Sequence, residues 1–231
     1  MRTVLSEEPS MDDLDPRRRR MVAFDPDVTS AADTYKLMTG SVIPRPIALV
    51  STMGPAGPNA APFSFFNAIA VDPPTIMFSA SPREGVEKDT LQNIRALPEF
   101  VVHIVDAALA EQMNICATAF PRGTDEMAEA GFLTAPSLKV RPLRILDCPV
   151  QLECRLVQML PIGRMPYQLV IGEVVLFHYH EGLVDEHCHV DVGRLNALGR
   201  LAGHGGYARI TDRFFMPMMS VAEAQAKKPR Q

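Results

Sequence analysis

The chain has no tryptophan, only four cysteines and no excess of basic residues. Cys116, Cys148, Cys154 and Cys188 form no Cys-x-x-Cys pair, which argues against a zinc ribbon or a disulfide framework. They read as buried or free thiols of a reducing cytoplasm. The formal net charge is -4 and the isoelectric point lies near 5.9. A nucleic-acid-binding domain usually carries a basic surplus, so nucleic acid is disfavoured as a partner. No apolar run is long enough to cross a bilayer and no signal-type segment opens the chain, so the expectation is a cytoplasmic protein without a membrane partner. There is no phosphate-binding P-loop and no Gly-x-Ser-x-Gly elbow. Gly203-His-Gly-Gly-Tyr-Ala208 formally fits a dinucleotide fingerprint. It follows an expected helix rather than a strand, and too little chain remains after it for a βαβ unit.

What is abundant is apolar residues, 47% of 231, together with 20 prolines. That mixture fits many short strands joined by turns around a sizeable core. Residues 1–20 read as a disordered tail, acidic at first and then carrying Arg17 to Arg20. Residues 21–220 read as a single domain and 221–231 as a polar tail. Strands are expected over 47–52, 75–80, 100–105, 150–160 and 168–179. Helices are expected over 33–38, capped from Thr29 or Ser30, and over 89–96, 107–119, 124–130 and 192–201. Asp89 with Gln92 fits a variant capping box. The pattern is mainly β with α additions, a β-barrel with peripheral helices.

The stretch from Asn59 to Pro74, NAAPFSFFNAIAVDPP, interrupts apolar and aromatic residues with Ser64, Asn67 and Asp72. Such a mixture suits a wall beside a flat ligand with a polar edge. Further on, Ser79-Ala-Ser-Pro-Arg-Glu-Gly-Val-Glu-Lys-Asp-Thr90 offers what a phosphate needs. Ser79, Ser81 and Thr90 carry hydroxyls, Arg83 and Lys88 carry charge, and a helix starts near Asp89. Asp89 suits capping or holding Lys88 better than touching an anion. Taken singly, each segment has a plainer reading. Phe63, Phe65 and Phe66 would be core packing, and the loop would lead into an ordinary capped helix.

The order of motifs reverses that preference. IPRPIALVST, GPNAAPFSFFNAIAVDPP, KDTLQNI and EFVVHIV, followed by DEMAEAGF, CPVQLEC, IGEVVLFHYH and GRLAGHGGYAR, resemble the flavin reductase-like family with an FMN-binding split barrel. The likeness runs from about Ala31 to Pro217. It implies a six-stranded Greek-key barrel working as a homodimer with FMN near the interface. It places Val50, Ser51 and Thr52 at a strand end beside the flavin. Ala61, Pro62, Ser64, Phe65, Phe66 and Asn67 would line the ring and ribityl chain. Ser79, Ser81, Arg83, Lys88, Asp89 and Thr90 would lie on the phosphate side. His204 and Tyr207 fall in a late motif that commonly reads RLGG, and here Ala202 replaces its first glycine. They are low-ranked candidates for the side where a small-molecule substrate stacks.

The implied activity is NAD(P)H-dependent flavin reduction, with NADH or NADPH passing hydride to flavin N5. Electrons then leave to oxygen or to a flavin-dependent partner oxygenase. An FMN electron carrier without its own nicotinamide site is the alternative, and a split barrel holding haem or a pyridoxal derivative is a third. No catalytic residue is assigned, because the chemistry belongs to the cofactor. His178, His180, His187, Cys188 and His189 cluster within a short stretch, but strand-end and loop histidines are commonly solvated, so no metal is expected.

Overall fold

The computed structural model describes residues 21–55, 57–82, 85–203 and 205–227. The N-terminal arginine run, Arg83 and His204 lie outside that set. In chain order the elements are α1 (Ala31–Ser41), β1 (Arg45–Pro46), β2 (Ala48–Gly54), β3 (Gly57–Phe63), β4 (Phe66–Val71) and β5 (Pro74–Ala80). Next come α2 (Asp89–Ala96), β6 (Glu99–Ile104), a short 3-10 turn over Ala107–Leu109, α3 (Ala110–Ile115) and α4 (Glu126–Glu129). β7 (Thr134–Ala135), β8 (Arg144–Ile145), β9 (Val150–Ile162) and β10 (Tyr167–Tyr179) follow. The chain then forms α5 (Val192–Leu195), β11 (Leu198–Arg200), β12 (Tyr207–Arg209) and α6 (Val221–Ala226).

Among the described residues, seven strands pair antiparallel in the order β3-β2-β6-β9-β10-β5-β4. β3 and β4 are therefore the two edges of this sheet, yet only Ser64 and Phe65 separate them. Three Cα steps span about 11 Å at most, so the sheet has to curl until its edges meet. Side chains from the two halves touch inside it. The Phe63 and Phe78 rings lie 4.8 Å apart, and Phe78 meets Phe100 edge-on at 5.6 Å. The stretch expected as one wall is thus a strand, a two-residue link and a second strand. The additional edge strand β4 explains why the sheet has seven strands where six were expected.

Two apolar clusters share this sheet. Ala48, Val50, Phe63, Phe78, Phe100 and Val170 fill the barrel interior. Ile47, Leu49, Ala60, Met113, Met127 and Ile145 form a second core outside it, under α3 and α4. Successive strand residues point to opposite faces, so the uninterrupted Ile47-Ala-Leu-Val50 run reads as a strand buried on both sides. Gly172 sits at a register shift between β9 and β10, and a Cβ there would fall 2.3 Å from Phe100 Cζ. Only glycine lets the central phenylalanine approach the backbone so closely.

Some expected elements differ. The helix expected over 107–119 ends with α3 at Ile115, and its last amides bond three residues back, Thr118 N to Ile115 O at 2.9 Å. Pro121 disfavours a helical residue before it, so the chain leaves as a loop. The helix expected over 192–201 stops at Leu195, because Asn196 turns left-handed at φ 43°. The next residues are drawn into β11 between β1 and β12, where Gly199 lies against Pro44. Within the polar C-terminal segment, Val221–Ala226 forms a helix closed by a capping box of Ser220 and Glu223.

The candidate flavin cleft

A cleft of about 420 Å³ opens where β3, the start of α2 and the loop after α3 converge. It is lined by Asn59, Ala61 and Pro62 of β3, by Val86 to Thr90, and by Cys116 to Phe120 with Arg122 and Glu126. β3 is an edge strand of the sheet, so residues of both its faces, Asn59 and Ala61 on one and Pro62 on the other, border the cleft. α2 is a short amphipathic helix whose Leu91 and Ile94 are buried in the barrel core. Gly54 admits it: a Cβ there would fall 1.8 Å from Asn93 Oδ1.

The first turn of α2 carries no side-chain cap. Lys88 occupies the N-cap position, and Asp89 is the first helical residue rather than the cap its sequence position suggested. Asp89 turns to the other wall, where its Oδ2 accepts from Gly123 N at 3.3 Å and its Oδ1 lies 3.8 Å from Arg122 Nε. Gln92 donates to Glu87 O at 3.2 Å instead of closing a capping box. An uncapped first turn leaves helix amides available to an anion.

Each carboxylate lining the cleft has a partner. Glu87 pairs with Arg95, Asp89 with Arg122, and Glu126 accepts from Asn59 Nδ2 and Ala60 N, each at 3.0 Å. Two cations, Lys88 and Arg122, line the same space, and Lys88 Nζ lies 5.7 Å from the centre of the Phe63 ring. Cys116 also lines it, but burial, with Glu126 and Asp125 nearby, pushes its thiol up to about 12. A thiol held protonated is no nucleophile at neutral pH.

The structure gathers Ala61, Pro62, Lys88, Asp89 and Thr90 on this cleft. The other named residues lie elsewhere. Val50 is in the barrel core, Ser51 Oγ donates to Leu143 O at 2.6 Å, and buried Thr52 Oγ1 accepts from Asn93 Nδ2 at 3.0 Å. Ser64 Oγ accepts from Arg45 Nε at 3.5 Å, and Phe65 stacks on Tyr167 with ring centres 6.4 Å apart. Phe66 packs against the barrel core, while exposed Asn67 accepts from Ala68 N at 2.9 Å. Ser79 pairs through its backbone with Phe65 O, and half-buried Ser81 follows β5. Tyr207 lies under the Arg200 guanidinium at 4.5 Å. Asn59, Glu126 and the 116–122 wall were missed as site residues. Nothing local marks them, since Asn59 and Glu126 are 67 positions apart.

The histidine cluster is spent on local bonds. His178 Nε2 donates to buried Glu153 at 2.7 Å, and His180 Nε2 to Leu146 O at 2.8 Å. Asp185 accepts from the amides of His187 and His189. Among the described residues no group of histidines, cysteines and acids is placed to hold a metal ion, and no helix is long and apolar enough to cross a membrane.

Comparison with known proteins agrees with this architecture. Component B of nitrilotriacetate monooxygenase from Bacillus cereus is 33% identical with a TM-score of 0.82, covering 86% of this chain and 100% of that one. The 2-nitrobenzoate 2-nitroreductase NbaA of Pseudomonas fluorescens is 35% identical with a TM-score of 0.78, covering 86% and 97%. A split barrel domain protein from Shewanella frigidimarina, at 14% identity, 84% and 96% coverage and a TM-score of 0.74, shares the fold. The family model of the flavin reductase like domain matches residues 39–197, which takes in every strand of the curled sheet and the whole of the cleft, and the chain belongs to that family.

Proposed function

We propose that the protein is an FMN-binding oxidoreductase that takes hydride from NADH or NADPH and passes electrons to oxygen or to a partner oxygenase. The observation that carries this reading is the uncapped first turn of α2 facing a cleft lined by Lys88 and Arg122. A flavin mononucleotide brings a phosphate with nearly two negative charges, and that donor set suits it. Ala61 and Pro62 offer an apolar floor. The Thr90 hydroxyl donates to Asn59 Oδ1 at 2.8 Å, which leaves its backbone amide for the phosphate. Ser79, Ser81 and Arg83 precede this turn in the same sequence segment and stay candidates for the phosphate side, although Ser79 and Ser81 do not line the cleft.

A bound flavin supplies the two-electron chemistry. The chain has to hold it, shield it and leave one face open to the nicotinamide. That task needs no dedicated acid or base, and the protonated Cys116 thiol supplies no nucleophile. Val50, Ser51 and Thr52 lie beside β3 on the neighbouring strand β2, and their side chains are fully buried. Ser64, Phe65, Phe66 and Asn67 lie on the link and strand beyond the floor, and Tyr207 on the β12 edge.

A homodimer is part of the proposal. Val71 at 92%, Phe214 at 84%, Phe215 at 90% and Met218 at 98% exposure leave large apolar side chains uncovered in the single chain, which a second copy could bury. The Bacillus cereus relative is by name a monooxygenase component, which favours an oxygenase as electron acceptor. The Pseudomonas fluorescens nitroreductase keeps a small-molecule acceptor within the same chemistry.

Purified protein is expected to show flavin bands near roughly 370 and 450 nm, as the conjugated ring dictates. Colourless protein that takes up no added FMN would end this reading. Anaerobic bleaching by NADH or NADPH distinguishes a reductase from an electron carrier, which would stay oxidised. Lys88→Ala is expected to weaken FMN by about tenfold or more and riboflavin little, since riboflavin lacks the phosphate. Equal losses for both ligands would refute the phosphate role.

A further inference from the structure

Glu126 opens α4 at the base of the cleft and is 9% exposed. Both of its oxygens accept from Asn59 Nδ2 at 3.0 Å, and Oε2 also accepts from Ala60 N. An ionised carboxylate only accepts, so it dictates which end of the Asn59 amide faces it. Asn59 Oδ1 is then committed to the other side. It accepts from Thr90 Oγ1 at 2.8 Å and from Thr52 Oγ1 at 3.4 Å, and Thr52 in turn accepts from Asn93 Nδ2 at 3.0 Å. One acid on α4 thus sets a chain of donors and acceptors running through β3 and β2 to two residues of α2. A buried network in which every member is satisfied specifies one arrangement, and reversing a single amide leaves donor against donor.

We propose that Glu126 is a positioning residue for flavin binding: by forcing one orientation of the Asn59 amide it holds the first turn of α2 in register with the floor of the cleft. This rests on the reading of the cleft as the FMN site. Glu126 touches no ligand in this role. It acts through Asn59 on Thr90, whose residue supplies an amide to the phosphate side.

The groups around Glu126 determine its response to pH. Lys88 and Asp89 stand at the start of α2, Glu87 precedes them, Arg122 lies on the loop, Cys116 ends α3, and Asp125 and Glu129 flank it in sequence. β3 contributes no titratable side chain. Burial raises the Glu126 carboxyl above the usual carboxylate range, with Asp89 adding to the rise, against the lowering effect of the Ala60 and Asn59 hydrogen bonds. Once protonated it must place an O–H among donors. Flavin affinity is therefore expected to fall as the pH drops through this raised pKa.

The test is FMN affinity by fluorescence quenching, measured across pH on variants whose fold is checked by circular dichroism. Glu126→Gln puts an amide against Asn59 and is expected to weaken FMN about tenfold, the scale of one buried mismatched hydrogen bond. It should also lose the acid-side fall of the wild type that exceeds the titration of the ligand itself. Asn59→Asp sets carboxylate against carboxylate and weakens binding at least as much. The double variant Asn59→Asp with Glu126→Gln reverses the pair: Gln Nε2 donates to one Asp oxygen, Gln Oε1 takes over as acceptor for Ala60 N, and the second Asp oxygen still serves Thr90 and Thr52. Its affinity should return to within about threefold of wild type. A double variant that fails to fold, or binds no better than the product of the single losses, overturns the proposal. So does a Glu126→Gln protein with the wild-type pH profile. If the wild-type protein binds no FMN at any pH, the reading of the cleft is what fails.

Discussion

His103 shows how far a single side chain here depends on its surroundings. It is fully buried, its Nδ1–H donates to Leu49 O at 2.9 Å, and its Nε2 accepts from Ile145 N at 2.9 Å. Those partners fix a neutral ring, and burial, with Arg144 and His178 near, lowers its pKa to about 4 although the Leu49 bond opposes the shift. The unfolded chain, at about 6.5, binds the proton first. His103 therefore contributes stability above about pH 6.5 and loses it as the pH falls toward about 4, by up to a few kcal/mol. Urea midpoints at pH 7.5 and pH 5 check this. A His103→Gln protein is expected to show a flatter dependence over that window, and an unchanged slope would refute the assignment. Glu153 behaves differently. Burial alone would raise it, but the Leu138 and Lys139 amides and His178 hold it below the usual carboxylate range. Its contribution persists above the ordinary carboxylate pKa and is lost only at lower pH. The strand around His103 was legible in Phe100-Val-Val-His-Ile-Val105. Its two partners were not, because they lie 54 and 42 positions away.

At the scale of elements, α2 and the loop after α3 form one unit across the cleft, joined by Asp89. The bounds of α2 were legible residue for residue, since Pro98 and the Lys88-Asp89 start punctuate it. The loop was not, because helix-favouring residues from Ala107 onward mask the turn before Pro121. Asp89→Ala removes the contacts to Gly123 N and Arg122. Partly exposed ion pairs are worth little, so stability should change by less than about 1 kcal/mol. The loop should nevertheless open: limited proteolysis is expected to cut near Arg122 sooner, and FMN should bind severalfold more weakly. Unchanged proteolysis would mean that Asp89 does not tie the two walls. The β11 segment makes the same point about competing forces. Residues 198–200 can continue a helix, yet pairing with β1 and β12 outweighs that local preference, and Asn196 supplies the turn that permits it.

On the scale of the whole molecule, two cores share one curled sheet, and apolar surface is left over. The extended segment before α6 carries Phe214, Phe215, Met216 and Met218, all exposed in the single chain. Two phenylalanines alone can bury about 300–500 Å² per chain, so a symmetric pair approaches the area of a stable interface. Replacing Phe214 and Phe215 together with Ser is expected to shift the proposed homodimer toward monomer in sedimentation velocity while leaving the circular dichroism spectrum unchanged. A wild-type chain that sediments as a monomer at micromolar concentration would exclude the dimer.

By itself the sequence determined the family, the strand-rich class, the span of α2 and five of the residues that meet on the cleft. Those properties lie in local order, in which motif follows which and where helices start and stop. Tertiary structure alone decided that β3 and β4 become opposite edges joined by two residues, that Asp89 faces a loop instead of capping its helix, and that Glu126 orients Asn59. Strand order, edge closure and hydrogen-bond partners distant in sequence depend on which surfaces are buried together, and burial is a property of the packed chain.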